Sequence, residues 1–306
     1  MDYVRRIVFL HTSLQFRGFH FMAKKDSSAR QLEIFNKKRD EQEQMTKECK
    51  VKFTAFDFEN FEPKTPAQER FVKAYLTKTG TGDDYHILNA GTAGTGKTFL
   101  ALQMALREVI IEKKKDKVVI VRSPVASRDQ GALPGEQKDK DLPYSLPYVS
   151  LCDEIFKYKS NNFENLVKKQ IIDFRTNGNL RGLTFNDCVI IVDECQNFNY
   201  SELETILTRV GHNCRIVLCG DSVQSDLTRN KFDVSGFVQM YQILKKIKSC
   251  KIIDFEIEDI VRSGFVKDFL IAKYEYETNK TYVPRDSANR EIESEYEKPA
   301  LLVSNS

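Results

Sequence analysis

Residues 90–102 read AGTAGTGKTFLAL and place Gly91, Gly96, Lys97 and Thr98 at the spacing G-x-x-x-x-G-K-[ST]. The pattern restricts the fold severely, because it works only where a strand runs into a glycine-rich turn and the turn into a helix. YHILNA ahead of it is a short apolar run with strand character. In FLALQMALREVII behind it, Phe99, Leu102, Ala105, Leu106 and Val109 recur at helical spacing. Between the two, Gly91, Thr92, Ala93, Gly94, Thr95 and Gly96 can turn successive backbone N–H groups inward around an anion. The helix N-terminus adds unpaired donors and a favourable dipole. Lys97 offers a mobile positive charge to β- and γ-phosphates, and the Thr98 hydroxyl offers an oxygen to Mg²⁺. A phosphate-binding loop is therefore expected.

A second constellation is CVIIVDECQN, an apolar run that ends in Asp193 and Glu194. In open α/β sheets ligands bind at the carboxyl ends of the strands, so this run delivers two carboxylates to the expected edge. Asp193 is suited to holding Mg²⁺ through its water shell, and Glu194 to orienting and deprotonating an attacking water. Two adjacent acids at a strand end are by themselves more often a solvated turn. Beside a phosphate loop they favour hydrolysis over phosphoryl transfer to another acceptor, which needs no carboxylate dedicated to water. A third run, RIVLCGDSVQSDL, is a strand followed by Gly220, Asp221 and Gln224, which brings an amide to the same edge.

Around these runs the chain alternates strand and helix patterns. VVIVRSP, CVIIVDE, RIVLCGD and KIIDFEIE have strand character; 148–175, SELETILTRVG and VKDFLIAKYEYE have helix character. Thr65-Pro66 is a helix-start signal. The alternation predicts right-handed crossovers and a mostly parallel central sheet flanked by helices. ASRDQGALPGEQKDKDLPYSLPYVSL, which holds three of the eight prolines, is expected to be a long functional loop. A charged extension over 1–52, one core domain over 53–274 and an acidic tail over 275–306 complete the expected organisation. The first 21 residues are basic and mildly amphipathic, a pattern shared by transit peptides, surface-lying helices and extensions upstream of a native start at Met22.

With 306 residues, 41% of them hydrophobic, a sizeable core is assured, while a net charge of +3 neither requires nor excludes a polyanionic partner. The seven cysteines, an odd number without C-x-x-C spacing, point to buried free thiols in a reducing cytoplasm. His11, His20, His86 and His212 are scattered, so no zinc site is expected, and no run is apolar enough to predict a membrane span.

AGTAGTGKTFLAL, IIVDECQN and VLCGDSVQSDL, in this order and joined by VRSPV, GALPG and RGLTFNDCVIIVDE, resemble the PhoH-like family of P-loop ATPases, whose core is related to superfamily 1 helicases. The likeness spans about 63–272. It implies a single RecA-like domain that binds ATP and Mg²⁺, with Lys97 and Thr98 on phosphate and metal, Asp193 and Glu194 on metal and water, and Gln224 sensing the γ-phosphate. It also implies adenine recognition by Gln68 in TPAQ, and transition-state neutralisation by Arg262 in DIVRSGFVKDF, with Arg209 in LTRVG as a second candidate. The chain after Gly220 is too short for a second RecA-like domain. An arginine supplied in trans would then require a homo-oligomeric ring such as a hexamer, with RNA or single-stranded nucleic acid as the polymer partner. Two departures stand out. Cys195 replaces a more usual alanine, adding a thiol beside the acids, and VRSPV replaces a form with proline directly after arginine, so no role carries over to Arg122. The small core with little appended suits a virus-encoded member.

Overall fold

The computed structural model describes residues 36, 37, 40, 51–123, 137–157, 160–176, 180, 182–221, 235–279, 281 and 282. Two packing units divide the chain, one of Met1–Lys52 with Lys168–Gln170 and the other of Phe53–Val167 with Ile171–Ser306; the sheet and the site lie in the latter. Its elements are α1 (Pro66–Leu76), β1 (His86–Gly91), α2 (Lys97–Ile110), β2 (Lys117–Arg122), α3 (Gln137–Ile155), α4 (Asn162–Lys168), β3 (Ile172–Thr176), β4 (Cys188–Asp193), α5 (Tyr200–Leu207), β5 (Arg215–Gly220), α6 (Phe237–Leu244), β6 (Cys250–Phe255) and α7 (Gly264–Thr278).

The six strands form one all-parallel sheet in the order β3-β2-β4-β5-β1-β6. Successive side chains of a strand face opposite ways, so each strand feeds two cores. Ile87, Val118, Ile120, Val189, Ile191 and Val217 pack with α1, α2 and α3 on one face. Leu88, Val119, Val121, Ile190, Val192 and Leu218 pack with α5 and α6 on the other. Every residue of β4 is buried, as expected of a central parallel strand covered on both sides. From β1 the chain moves three strand positions to β2, leaving room for β4 and β5 between them, yet later returns to place β5 and β6 on either side of β1. A reversal of this kind opens a crevice at the carboxyl ends, where β1, β4 and β5 finish. The arrangement is the expected RecA-like P-loop α/β fold with a single core domain. Among the described residues no helix is long and apolar enough to cross a membrane.

Three elements differ from the sequence expectation. The segment expected to be helical up to 175 ends in the edge strand β3, which pairs with β2 from Val118↔Ile172 to Arg122↔Thr176. Val167, Ile171 and Phe174 happen to fall at helical spacing, and only the partner strand overrides that period. Helix α3 begins inside the expected loop and runs through Pro143 and Pro147. Both prolines are exposed and lie four residues apart on one face, where water can bond the carbonyls that lose their N–H partner, while Tyr148, Cys152 and Ile155 bury the opposite face. The rest of the expected loop, 126–136, lies outside the described residues, as do the first 21 residues and the tail from 283. Helix α6 was not anticipated; Phe237, Met240 and Leu244 seal the core on the α5 side.

Gly91, the last residue of β1, shows how tightly the loop is set into the sheet. Its φ is +126°, and a Cβ there would lie 1.8 Å from the Phe255 carbonyl oxygen at the end of β6. That same oxygen accepts a hydrogen bond from the Thr92 N–H at 3.1 Å. Gly91→Ala is therefore expected to destabilise the fold by more than about 3 kcal/mol, combining backbone strain with a clash against fixed main chain. A large drop in the denaturant midpoint with an unchanged slope would show it; an unchanged midpoint would contradict it.

Candidate active site

The strand-to-helix turn forms as the glycine spacing demands. Gly91, Gly94 and Gly96 all take positive φ, and Gly96 is the N-cap of α2. Lys97, the first residue of that helix, folds its side chain back over the turn. Its Nζ donates to the carbonyls of Gly91 at 2.8 Å and Thr92 at 2.6 Å. Burial holds the Lys97 pKa below its ordinary value, against the opposing pull of the Asp221, Glu194 and Asp193 carboxylates. An ammonium so placed gains from an anion arriving in the loop, which would restore what desolvation costs it.

The Thr98 hydroxyl donates to Asp193 Oδ1 at 2.6 Å, joining the loop to the end of β4 across 95 residues of sequence. A hydroxyl and a carboxylate in contact are the oxygen donors that a hard divalent cation such as Mg²⁺ prefers, so the donor set fits the metal that the sequence implied. The other carboxylate oxygen is held as well. Tyr148 on α3 donates its hydroxyl to Asp193 Oδ2 at 2.7 Å, and Arg122 Nη1 lies 3.6 Å from the same oxygen. Tyr148 is fully buried, and burial together with the Asp193 charge keeps its phenol protonated far above the usual range. Sequence reasoning missed both partners. Arg122 carried a usable signal, a charge ending an apolar strand, and the sheet registers it directly beside Asp193. Tyr148 carried none.

Glu194 follows at the turn out of β4 in a left-handed conformation, φ 51° and ψ 44°. Burial, reinforced by the adjacent Asp193 charge, raises its pKa, while a hydrogen bond from the Gln196 side chain works in the opposite direction. Gln196 Nε2 donates to Glu194 Oε2 at 2.6 Å, and Gln196 Oε1 accepts the Asp221 N–H at 3.0 Å. Cys195 is fully buried, and burial pushes its thiol well above the usual range, as expected of an inert core cysteine.

The remaining sequence candidates divide. Gln68 is almost wholly buried rather than exposed on α1: Nε2 donates to the Thr95 carbonyl at 3.1 Å and Oε1 accepts the Lys64 N–H at 2.8 Å. Arg262 lies against the phosphate loop of its own chain. The Val261 N–H donates to the Gly94 carbonyl at 3.2 Å, and Arg262 Cδ sits 3.4 Å from where a Cβ on Gly94 would be. Arg209 is far away in the fold, since its carbonyl accepts the Phe185 N–H ahead of β4, at the amino-terminal edge of the sheet. Gln224 lies outside the described residues.

The family model for PhoH-like proteins matches residues 60–275. The PhoH-like protein of Mycobacterium leprae is 31% identical over 217 residues, covering 70% of this chain and 59% of that protein. That of Bacillus subtilis is 29% identical over 232 residues, covering 76% and 67%, and Protein PhoH of Escherichia coli K12 is 29% identical over 209 residues, covering 67% and 56%. The chain thus spans a little over half to two thirds of the length of these relatives. Among solved structures, the Sulfolobus solfataricus SWI2/SNF2 ATPase core in complex with dsDNA aligns with a TM-score of 0.32 and 17% identity, over 58% of this chain and 36% of that one. With the phosphate loop, both acids and the whole parallel sheet inside the matched residues, the chain belongs to the PhoH-like family.

Proposed function

We propose that the protein is a Mg²⁺-dependent ATPase that releases ADP and phosphate. The observation that carries this reading is the Thr98 to Asp193 hydrogen bond, which brings the phosphate loop and the acidic pair to one edge with Lys97 between them. Thr98 and, through water, Asp193 would hold Mg²⁺, which supplies charge against the β- and γ-phosphates when bound. Lys97 neutralises the same phosphates. Glu194 takes the proton of the attacking water, and its raised pKa brings it nearer to the pH at which a base is most effective. Gln224, three residues beyond Asp221, is assigned to sensing the γ-phosphate.

Gln68 braces the loop with one bond at each end of its amide, which leaves a second Nε2 hydrogen and a second Oε1 lone pair for reading the adenine edge. Arg262 serves the nucleotide of its own subunit, since its stem packs on Gly94 of the same chain. A finger supplied across a ring then falls to Arg209. That residue lies at the opposite sheet edge, where it can reach only a neighbour's nucleotide.

The resemblance to superfamily 1 helicase cores extends the reading to work on RNA or DNA. ATP turnover is expected to rise several-fold on adding single-stranded RNA or DNA, with binding that weakens as salt increases. No stimulation by either polymer would instead mark a nucleotide-dependent regulatory switch. Sizing in solution tests the ring, and a monomer with full activity would remove it.

A further inference from the structure

We propose that Gln196 is the positioning residue for the base, tying the Glu194 carboxylate to the carboxyl end of β5 through one buried amide. The inference rests on the ATPase reading, in which Glu194 accepts a proton from water.

The amide can sit only one way round. A carboxylate accepts and never donates, so Nε2 must face Glu194 at 2.6 Å; a backbone N–H donates and never accepts, so Oε1 must face Asp221 at 3.0 Å. Gln196 is almost wholly buried, which removes water as a substitute for either partner. Its surroundings hold it in place. A Cβ on Gly220 would lie 2.4 Å from Cys195 Sγ, 2.8 Å from Phe237 Cε2 and 3.2 Å from Gln196 Oε1, so the end of β5 presses directly on the turn that carries the amide.

Glu194 needs such a tether. It stands outside the strand, at positive φ, and among the described residues Gln196 is the only hydrogen-bond partner of its carboxylate. The other end of the tether is Asp221, the first residue after β5. Asp193 is held separately, by Thr98, Tyr148 and Arg122.

The test compares Gln196→Met and Gln196→Glu with wild type in ATP binding, kcat and KM. Gln196→Met keeps the volume but removes both polar ends, and is expected to lower kcat about 10- to 100-fold at little change in ATP affinity or KM. That split separates lost positioning from a loosened fold, which would weaken ATP binding along with kcat. Gln196→Glu keeps the acceptor for Asp221 but sets a second acid against Glu194, and is expected to lower kcat at least as far. A wild-type kcat in Gln196→Met overturns the role. So does an equal loss of kcat and ATP affinity. Wild-type protein without ATP turnover would instead overturn the ATPase reading, and this role with it.

Discussion

Glu194→Gln is expected to keep ATP bound while lowering turnover about 10²- to 10⁴-fold, the usual range for losing a general base. The substitution preserves shape and the ability to meet Gln196, so the loop, Lys97 and the Thr98 to Asp193 link should persist. Only the proton acceptor is lost. The pH dependence carries the same signature with a definite sign. Burial and the Asp193 charge raise the Glu194 pKa, so the residue becomes protonated, and turnover falls, at a higher pH than an ordinary carboxylate would dictate. In Glu194→Gln this acid limb should vanish along with the rate. Phosphate release measured beside nucleotide binding decides the matter, and a variant hydrolysing at the wild-type rate would move the base elsewhere.

Lys97→Ala is expected to cost at least about 10²-fold in kcat/KM, the scale on which a single preorganised charge at a reacting phosphate acts. Two effects combine. The ammonium that faces the β- and γ-phosphates is gone, and the carbonyls of Gly91 and Thr92 lose the donor that now ties them together. Lys97→Arg separates the two effects, since it keeps the charge but carries a planar fork on a longer stem in a narrow turn. Thermal unfolding alongside the kinetics checks that the sheet survives. Affinity for ATP equal to wild type in Lys97→Ala would be incompatible with this placement of the lysine.

How much of the site could be read from the chain depended on distance along it. Gly91 to Thr98 and the pair Asp193 and Glu194 are each contiguous, so their chemistry is visible in a few letters. The strands βα-coupled to these runs were also legible, because an apolar run bounded by turn residues has little else to become. The partners that hold the acids were not legible. Tyr148 meets Asp193 across 45 residues and Gln196 meets the N–H of Asp221 across 25, and no periodicity links such positions. Arg262 and Arg209 were the first and second candidates for one role in the sequence, yet they lie at opposite edges of the sheet, one on Gly94 and the other beside Phe185.

Local chemistry in the chain was enough to establish a phosphate loop, an acidic strand end and a parallel α/β architecture. These follow from backbone freedom at glycine, charge at a strand terminus and the period of apolar residues, all of which act within a dozen positions. The strand order β3-β2-β4-β5-β1-β6 follows instead from how two cores pack on one sheet, and it alone brings β4 beside both β2 and β5. That adjacency sets Arg122 level with Asp193 and hangs Glu194 from β5 through Gln196. Contacts of this kind arise only once long-range burial has outweighed the entropy of bringing distant segments together, so no short window of residues contains them.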